Sequence, residues 1–497
     1  MYFQNALFAF FLLIASVRAT AQNCDSYLMG IREDLSVTKL CPESMLNDLQ
    51  NLREALDKIH PDLYHYIDKE ELDSAYHEAI KKVSNDLTAY EFSKTIAKFL
   101  SSIKDSHTNF NPQNLLFLGP KDKGTLPFFL IKIGDKFFIE SMYENEYLKG
   151  KEVLAFNDLS AQDIFNESIT FSLIEGSSRS AQEEIATKGM ALVFSQMSRF
   201  KTSDSVKIKY VSGMDTITKK VKSTNRMNLY LYKGSLIEKS VSYFFDHENK
   251  GVLKILSFQP KAMGLFKKEV ANFFKEVARR GCSEIVIDLR NNQGGYVKAH
   301  EYLMSFLNIN KEQYVVQHVY KRSKFDPFSK MPYFKKNRFK RKAKREYPFG
   351  IHSKEYDFMI SELGSTSKIT FNSVPDNEYN LTYNGKCTLV VNGLSMSASV
   401  LFAGWFRNTG RGEIIGWPCL GSISGTFGTN VVIDLPTTGL PIMISTVKFN
   451  TYNSNVPLLE PISPDKLINY SIEDVLFSRD PVWEFLNIKN EKLHSLK

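Results

Sequence analysis

The run Cys387–Val391, CTLVV, constrains the fold more than any other stretch of this 497-residue chain. Its residues are apolar or β-branched and stand between Gly385 and Gly393. That is the pattern of a strand buried on both faces, as in a parallel sheet covered by helices. Small residues follow, then Ser397-Ala398-Ser399 and a helix-periodic apolar segment from Val400 to Phe406. A serine at a strand-to-helix junction lies beside amides that have no intrahelical acceptor, and such amides can stabilise a developing oxyanion. The same position suits an ordinary helix cap. On this stretch alone both readings stand.

Glu284–Tyr296, EIVIDLRNNQGGY, is a second buried-strand pattern ending in a glycine turn, and its backbone could bring another N–H beside the serine. Before it come a strand pattern, Gly251–Phe258, and an amphipathic helix pattern, Gly264–Arg280, carrying Leu265, Val270, Phe273, Phe274 and Val277 with Gly281 as its C-terminal cap. Strand, helix, strand in that order argues for parallel crossover units in an α/β unit beginning near Val241.

Toward the N-terminus the periodicity is helical. Leu46, Leu49, Leu52, Leu56 and Ile59 form one stripe that Pro61 ends, and Thr88 to Glu91 is a capping box opening a helix through Ile103. That helix delivers Asp105-Ser106-His107 at its end. From Gly124 to about Lys222 the pattern turns to short strands, with a hairpin around Ser212-Gly213 and a helical segment, Ser180–Met197.

The first residues hold an apolar run from Ala6 to Val17 followed by Ala19-Thr20-Ala21. The run is too short to span a bilayer and reads as a secretory signal cleaved after Ala21. A lipid anchor at Cys24 does not fit, because Asn23 stands where a small residue is needed. The mature chain is therefore expected in an exported compartment, periplasmic or extracellular, without a membrane span. Five cysteines do not make a disulfide framework; Cys24 and Cys41 could pair, whereas Cys282, Cys387 and Cys419 read as buried.

The charge is uneven. Lys321–Arg345 holds twelve Lys and Arg against one Asp, so in a protein of net charge +8 the rest of the chain is net acidic. Such a segment suits an anionic surface or a glycan, or else a solvated flap; an exported chain gives no reason to expect nucleic acid. The nine histidines form no H-E-x-x-H, C-x-x-C is absent, and Gly421–Gly428 lacks the end of a phosphate loop, so no metal or cofactor is expected.

IVIDLRNNQGG together with VNGLSMSASVLFAGWFRNTGRGEIIG resembles the core of the C-terminal processing (tail-specific) peptidases and of the related tricorn core protease. The resemblance runs more weakly over roughly residues 45 to 475. It implies a multi-domain α/β fold with a spiral, ClpP/crotonase-like core, and a serine endopeptidase acting on peptides or proteins. Ser397 would be the nucleophile, with an oxyanion hole made by the amides of Ala398 and of Gly294 or Gly295.

One position departs from the tail-specific branch. Where that branch carries a lysine base, in the loop Gly416–Thr426, this chain has Ser422. A neutral hydroxyl cannot take the proton of Ser397 near neutrality. The tricorn-like branch implies another base: SIKDSHTNF supplies Ser106-His107, and PLLEPISPD supplies Glu460 as the fourth residue. An imidazole titrates near neutrality, so His107 suits a general base. The implied organisation is a signal peptide (1–21), a helical region with Ser106-His107 (22–112), a PDZ-like β-rich domain (113–235) and the catalytic domain with its basic insertion (236–497). The alternative is an inactive peptide-binding protein on the same fold.

Overall fold

The computed structural model describes residues 35–110, 124–143, 146–197, 201–225, 240–329, 354–451 and 460–488. The leader, Cys24 and most of the basic segment lie outside them.

The main sheet has six strands, in the order Val241–Phe245, Gly251–Ile255, Glu284–Asp288, Lys386–Val391, Glu413–Gly416 and Lys466–Leu467. The first pairs antiparallel with the second, and every later pair is parallel. The CTLVV strand thus lies near the centre, beside EIVID, with Ile287 opposite Leu389. Its alternating residues serve two cores. Leu389 and Val391 pack with Phe266, Val270 and Phe274 of the helix Met263–Arg280, while Val390 faces Val482 and Ile488. Burial on both faces is why the run is continuously apolar. Gly281 ends the helix in the left-handed conformation, φ 62°, where a side chain would be strained.

A four-stranded antiparallel sheet stands beside it, ordered Thr366–Ser373, Tyr314–Lys321, Val447–Thr451 and Gly425–Gly428. The basic segment joins the first two of these strands.

The N-terminal helices are Pro42–Ile59, Lys69–Val83 and Ala89–Ser101. Thr88 and Glu91 form the reciprocal capping box that opens the third. Their core is not self-contained. It is completed by Val431, Leu435, Leu440, Ile442 and Ile444, from the hairpin Val431–Asp434/Pro441–Ile444 far along the chain. A separate antiparallel sheet, Phe128–Ile133, Lys136–Met142, Glu152–Phe156, Ser205–Ser212 and Asp215–Lys222, carries the helices Ala161–Phe171 and Arg179–Met197.

Cys41 is disulfide-bonded, and Cys282, Cys387 and Cys419 are free and buried. Among the described residues no helix is long and apolar enough to cross a membrane.

Candidate active site

Two turns meet at the carboxyl ends of the central strands. The turn after Glu284–Asp288 and the turn after Lys386–Val391 are tied by several hydrogen bonds. Met396 N–H and Ser399 Oγ donate to the Asn292 carbonyl at 3.1 and 2.8 Å. Ser395 Oγ donates to the Leu289 carbonyl at 2.8 Å, and Asn291 N–H to Asn392 Oδ1 at 2.9 Å. Of the three serines in SMSAS, the outer two are therefore spent on structure. Ser397 Oγ, half-buried, makes no hydrogen bond among the described residues.

The backbone of Ser397 has φ 57° and ψ −120°. A non-glycine residue there holds about 1–3 kcal/mol of strain, a feature that clusters at functional sites. The helix Ala398–Asn408 begins at the next residue; the amides of Ser399, Val400 and Leu401 already bond to the carbonyls of Met396 and Ser397, so Ala398 N–H is the first-turn amide left without an acceptor among the described residues. A β-carbon on Gly294, at φ +91°, would fall 2.6 Å from Ser397 Cβ and 2.8 Å from Ala398 N. Glycine at 294 keeps the space in front of that amide open. The two candidate glycines then separate. Gly294 donates its N–H to Asn292 Oδ1 at 2.9 Å, whereas the exposed Gly295 has no acceptor among the described residues. Gly295 also cannot carry a side chain, since its β-carbon would meet Phe258 C at 2.2 Å.

The histidine side is assembled from four distant segments. Ser106 Oγ lies 3.1 Å from His107 Nδ1 and donates to Glu175 Oε2 at 2.5 Å. Glu175 Oε2 is 3.8 Å from His107 Nδ1, as is Asp105 Oδ1. Asp105 accepts from the His107 backbone N–H at 2.8 Å, from His60 Nε2 at 3.0 Å and from Ser445 Oγ at 2.6 Å. All of these side chains are buried. Burial alone would lower the pKa of His107, but the Glu175 carboxylate and the Asp105 charge outweigh it and hold it above its ordinary value. Asp105, His107 and Glu175 bring three ligand-capable atoms within 4.8 Å of one another. Their close neighbours are hydroxyl, imidazole and amide donors, so hydrogen bonds account for the cluster.

The structure departs from the sequence expectation at Glu460. That residue is exposed and makes no hydrogen bond with Ser106 or His107, while its neighbour Pro461 pairs with Ser422. A buried hydroxyl–imidazole pair needs a buried acceptor, and Glu175, 1 % exposed, supplies it. Nothing in FSLIEGSSRS marks this residue locally, beyond a lone acid between two helices. Ser422 is buried and bonded to Ser424 at 2.7 Å. Asn292, His60 and Ser445 also escaped the sequence reading.

No hydrogen bond joins Ser397 to His107. One segment nevertheless touches both sides. Leu173 packs beside Met396 and Leu420, Glu175 holds Ser106, and Glu184 accepts from Gly393 N–H at 2.9 Å and from Asn392 Nδ2 at 3.0 Å.

Residues 249–465 match the model of Peptidase family S41. The chain carries a serine-type peptidase domain of family S41. Both turns described above, with Ser397, fall inside the matched S41 segment, whereas Ser106, His107 and Glu175 lie before it. The fold is similar to that of mature CPAF complexed with lactacystin, with 13% identity, 90% of this chain and 97% of that chain covered, and a TM-score of 0.62. Another structure of mature CPAF matches at 13% identity, 90% and 96% coverage and a TM-score of 0.61. A photosystem II D1 C-terminal processing protease matches at 14% identity, 87% and 96% coverage and a TM-score of 0.42. No curated protein matches the chain.

Proposed function

We propose that the S41 domain hydrolyses peptide bonds through an acyl-enzyme on Ser397, with His107 as its base. The observation that carries this is the contrast within SMSAS. Ser395 and Ser399 donate their hydroxyls to backbone carbonyls, and Ser397 alone keeps a free hydroxyl, on strained backbone at a helix start.

In this reading Ser397 Oγ bonds to the peptide carbonyl carbon as its proton passes to His107 Nε2. The carbonyl oxygen takes the negative charge, facing the amides of Ala398 and Gly295. The C–N bond then breaks and the imidazolium protonates the leaving amine; water repeats the sequence to free Ser397. Ser422 takes no part. Because Ser397 and His107 are not bonded in the structure, the peptide must bring them within reach, as catalytic contacts often tighten only in the complex.

The leader supports export, with cleavage after Ala21. The sheet of residues 128–222 is read as a PDZ-like domain between the helical region and the catalytic domain. The segment Lys321–Arg345 is read as a contact for anionic surfaces or glycans.

The test is labelling of the mature protein by a fluorophosphonate. Wild type should label, and Ser397→Ala and His107→Ala should not. Ser397→Ala should fold normally and lose on the order of 10⁶-fold in kcat. Folded wild type that neither labels nor cleaves peptide would instead indicate a peptide-binding protein.

A further inference from the structure

An imidazole can serve as a base only if one nitrogen is unprotonated and aimed at the nucleophile while the other is held. On the reading that Ser397 and His107 carry the acyl transfer, something must fix which nitrogen bears the proton. An ionised carboxylate only accepts, and a serine hydroxyl has a single proton to give. At 2.5 Å from Glu175 Oε2, Ser106 Oγ spends that proton on Glu175. What it offers His107 Nδ1, 3.1 Å away, is then a lone pair. Nδ1 must carry the hydrogen, and Nε2 is left free to accept one. We propose that Glu175 is the positioning residue which, through Ser106, fixes His107 as the Nδ1–H tautomer, in place of the Glu460 that the resemblance implies.

The other carboxylates fit the role less well. Asp105 is already occupied by His60, Ser445 and the His107 backbone N–H. It holds the loop rather than the ring. Glu460 is exposed. Glu175 is buried, and its place is fixed from both sides. Gly176 N–H donates to the Lys104 carbonyl at 3.0 Å, just ahead of Asp105. Downstream, Ala181 and Glu184 of the helix Arg179–Met197 lie against Gly393, where a β-carbon would meet Glu184 Oε2 at 2.7 Å and Ala181 Cα at 2.8 Å. The segment that orients the base is thus also seated on the turn that leads to Ser397.

The decisive variant is Glu175→Gln. A carboxamide can donate to Ser106 Oγ, which turns the serine proton toward Nδ1 and holds His107 as the Nε2–H form, unable to accept. The kcat/KM should fall by on the order of 10³-fold or more, the scale of a wrong-tautomer substitution. Glu175→Asp should recover part of the loss, and Glu460→Gln should stay near wild type. Two readouts separate positioning from plain structural support. Nitrogen NMR of His107 should show Nδ1–H in wild type and Nε2–H in Glu175→Gln.

The alkaline-rising limb of kcat/KM should move to lower pH. The groups facing the ring are Glu175 and Asp105, with His60 and Tyr66 around those carboxylates, and the variant removes only the first. Should Glu175→Gln unfold, Ser106→Ala breaks the same path and should give the same loss.

The proposal is overturned if Glu175→Gln keeps wild-type kcat/KM, its pH limb and the Nδ1–H tautomer while His107→Ala is inactive. A His107→Ala enzyme at wild-type rate sinks the acyl-transfer reading itself. The tautomer measurement needs no turnover and tells the two failures apart.

Discussion

The two halves of the site are built in opposite ways. The half proposed to carry the nucleophile is local: one strand, one turn and one helix carry Ser397, and a turn from the adjacent parallel strand locks it through Asn292 and Leu289. The half proposed to supply the base, the base half, gathers His60, Asp105 to His107, Glu175 and Ser445 from four places in the chain, and its hydrogen bonds span up to 340 positions. A strand–turn–helix unit fixes its geometry through the backbone. A buried polar cluster has no such template and holds only if each member finds its donors and acceptors. Substitution in the first half should therefore act on rate, and in the second on rate and folding together.

The largest effect that sharpens this contrast is expected at Gly294. Gly294→Ala puts a methyl group 2.8 Å from Ala398 N on backbone at φ +91°, filling the space of the oxyanion. A fall of on the order of 10²–10³-fold in kcat is expected, with thermal unfolding checked beside the assay. Wild-type kcat in a folded variant would remove the Ala398 amide from the mechanism.

Next comes Asp105. Burial alone would raise its pKa, but His60, His107 and Ser445 overcome that and draw it from 3.8 down to about 2. A pKa depressed in the folded state contributes stability that is complete above the unfolded value, and that is lost as the pH falls from about 4 toward about 2. Asp105→Asn should cost about 3 kcal/mol by denaturant titration near neutrality, as for breaking a buried charge network, and should flatten that acid loss. Unchanged stability would mean that the base half is not held by this carboxylate.

The smallest effect is expected at Ser422, which bonds to Ser424 inside the protein. Ser422→Ala should fold and turn over close to wild type in the same peptide assay. An inactive, folded variant would return the base to the loop Gly416–Thr426 and break the division between halves.

By itself the sequence determined the parallel core and the junction that carries Ser397. CTLVV and EIVID could only be strands buried on both faces, Gly281 only a helix stop, and SMSAS only a junction, because short-range periodicity and glycine chemistry encode these features. The Thr88 capping box and the position of Ser106-His107 at the end of its helix were legible for the same reason. Tertiary structure alone decided which glycine amide is free, because that turned on Asn292 reaching back to Gly294. It also decided which carboxylate lies by His107. Glu460 sits in the more suggestive motif, yet Glu175 is the one buried beside Ser106. Burial of a charge next to its partner depends on how distant segments pack, and no local pattern in the chain records it.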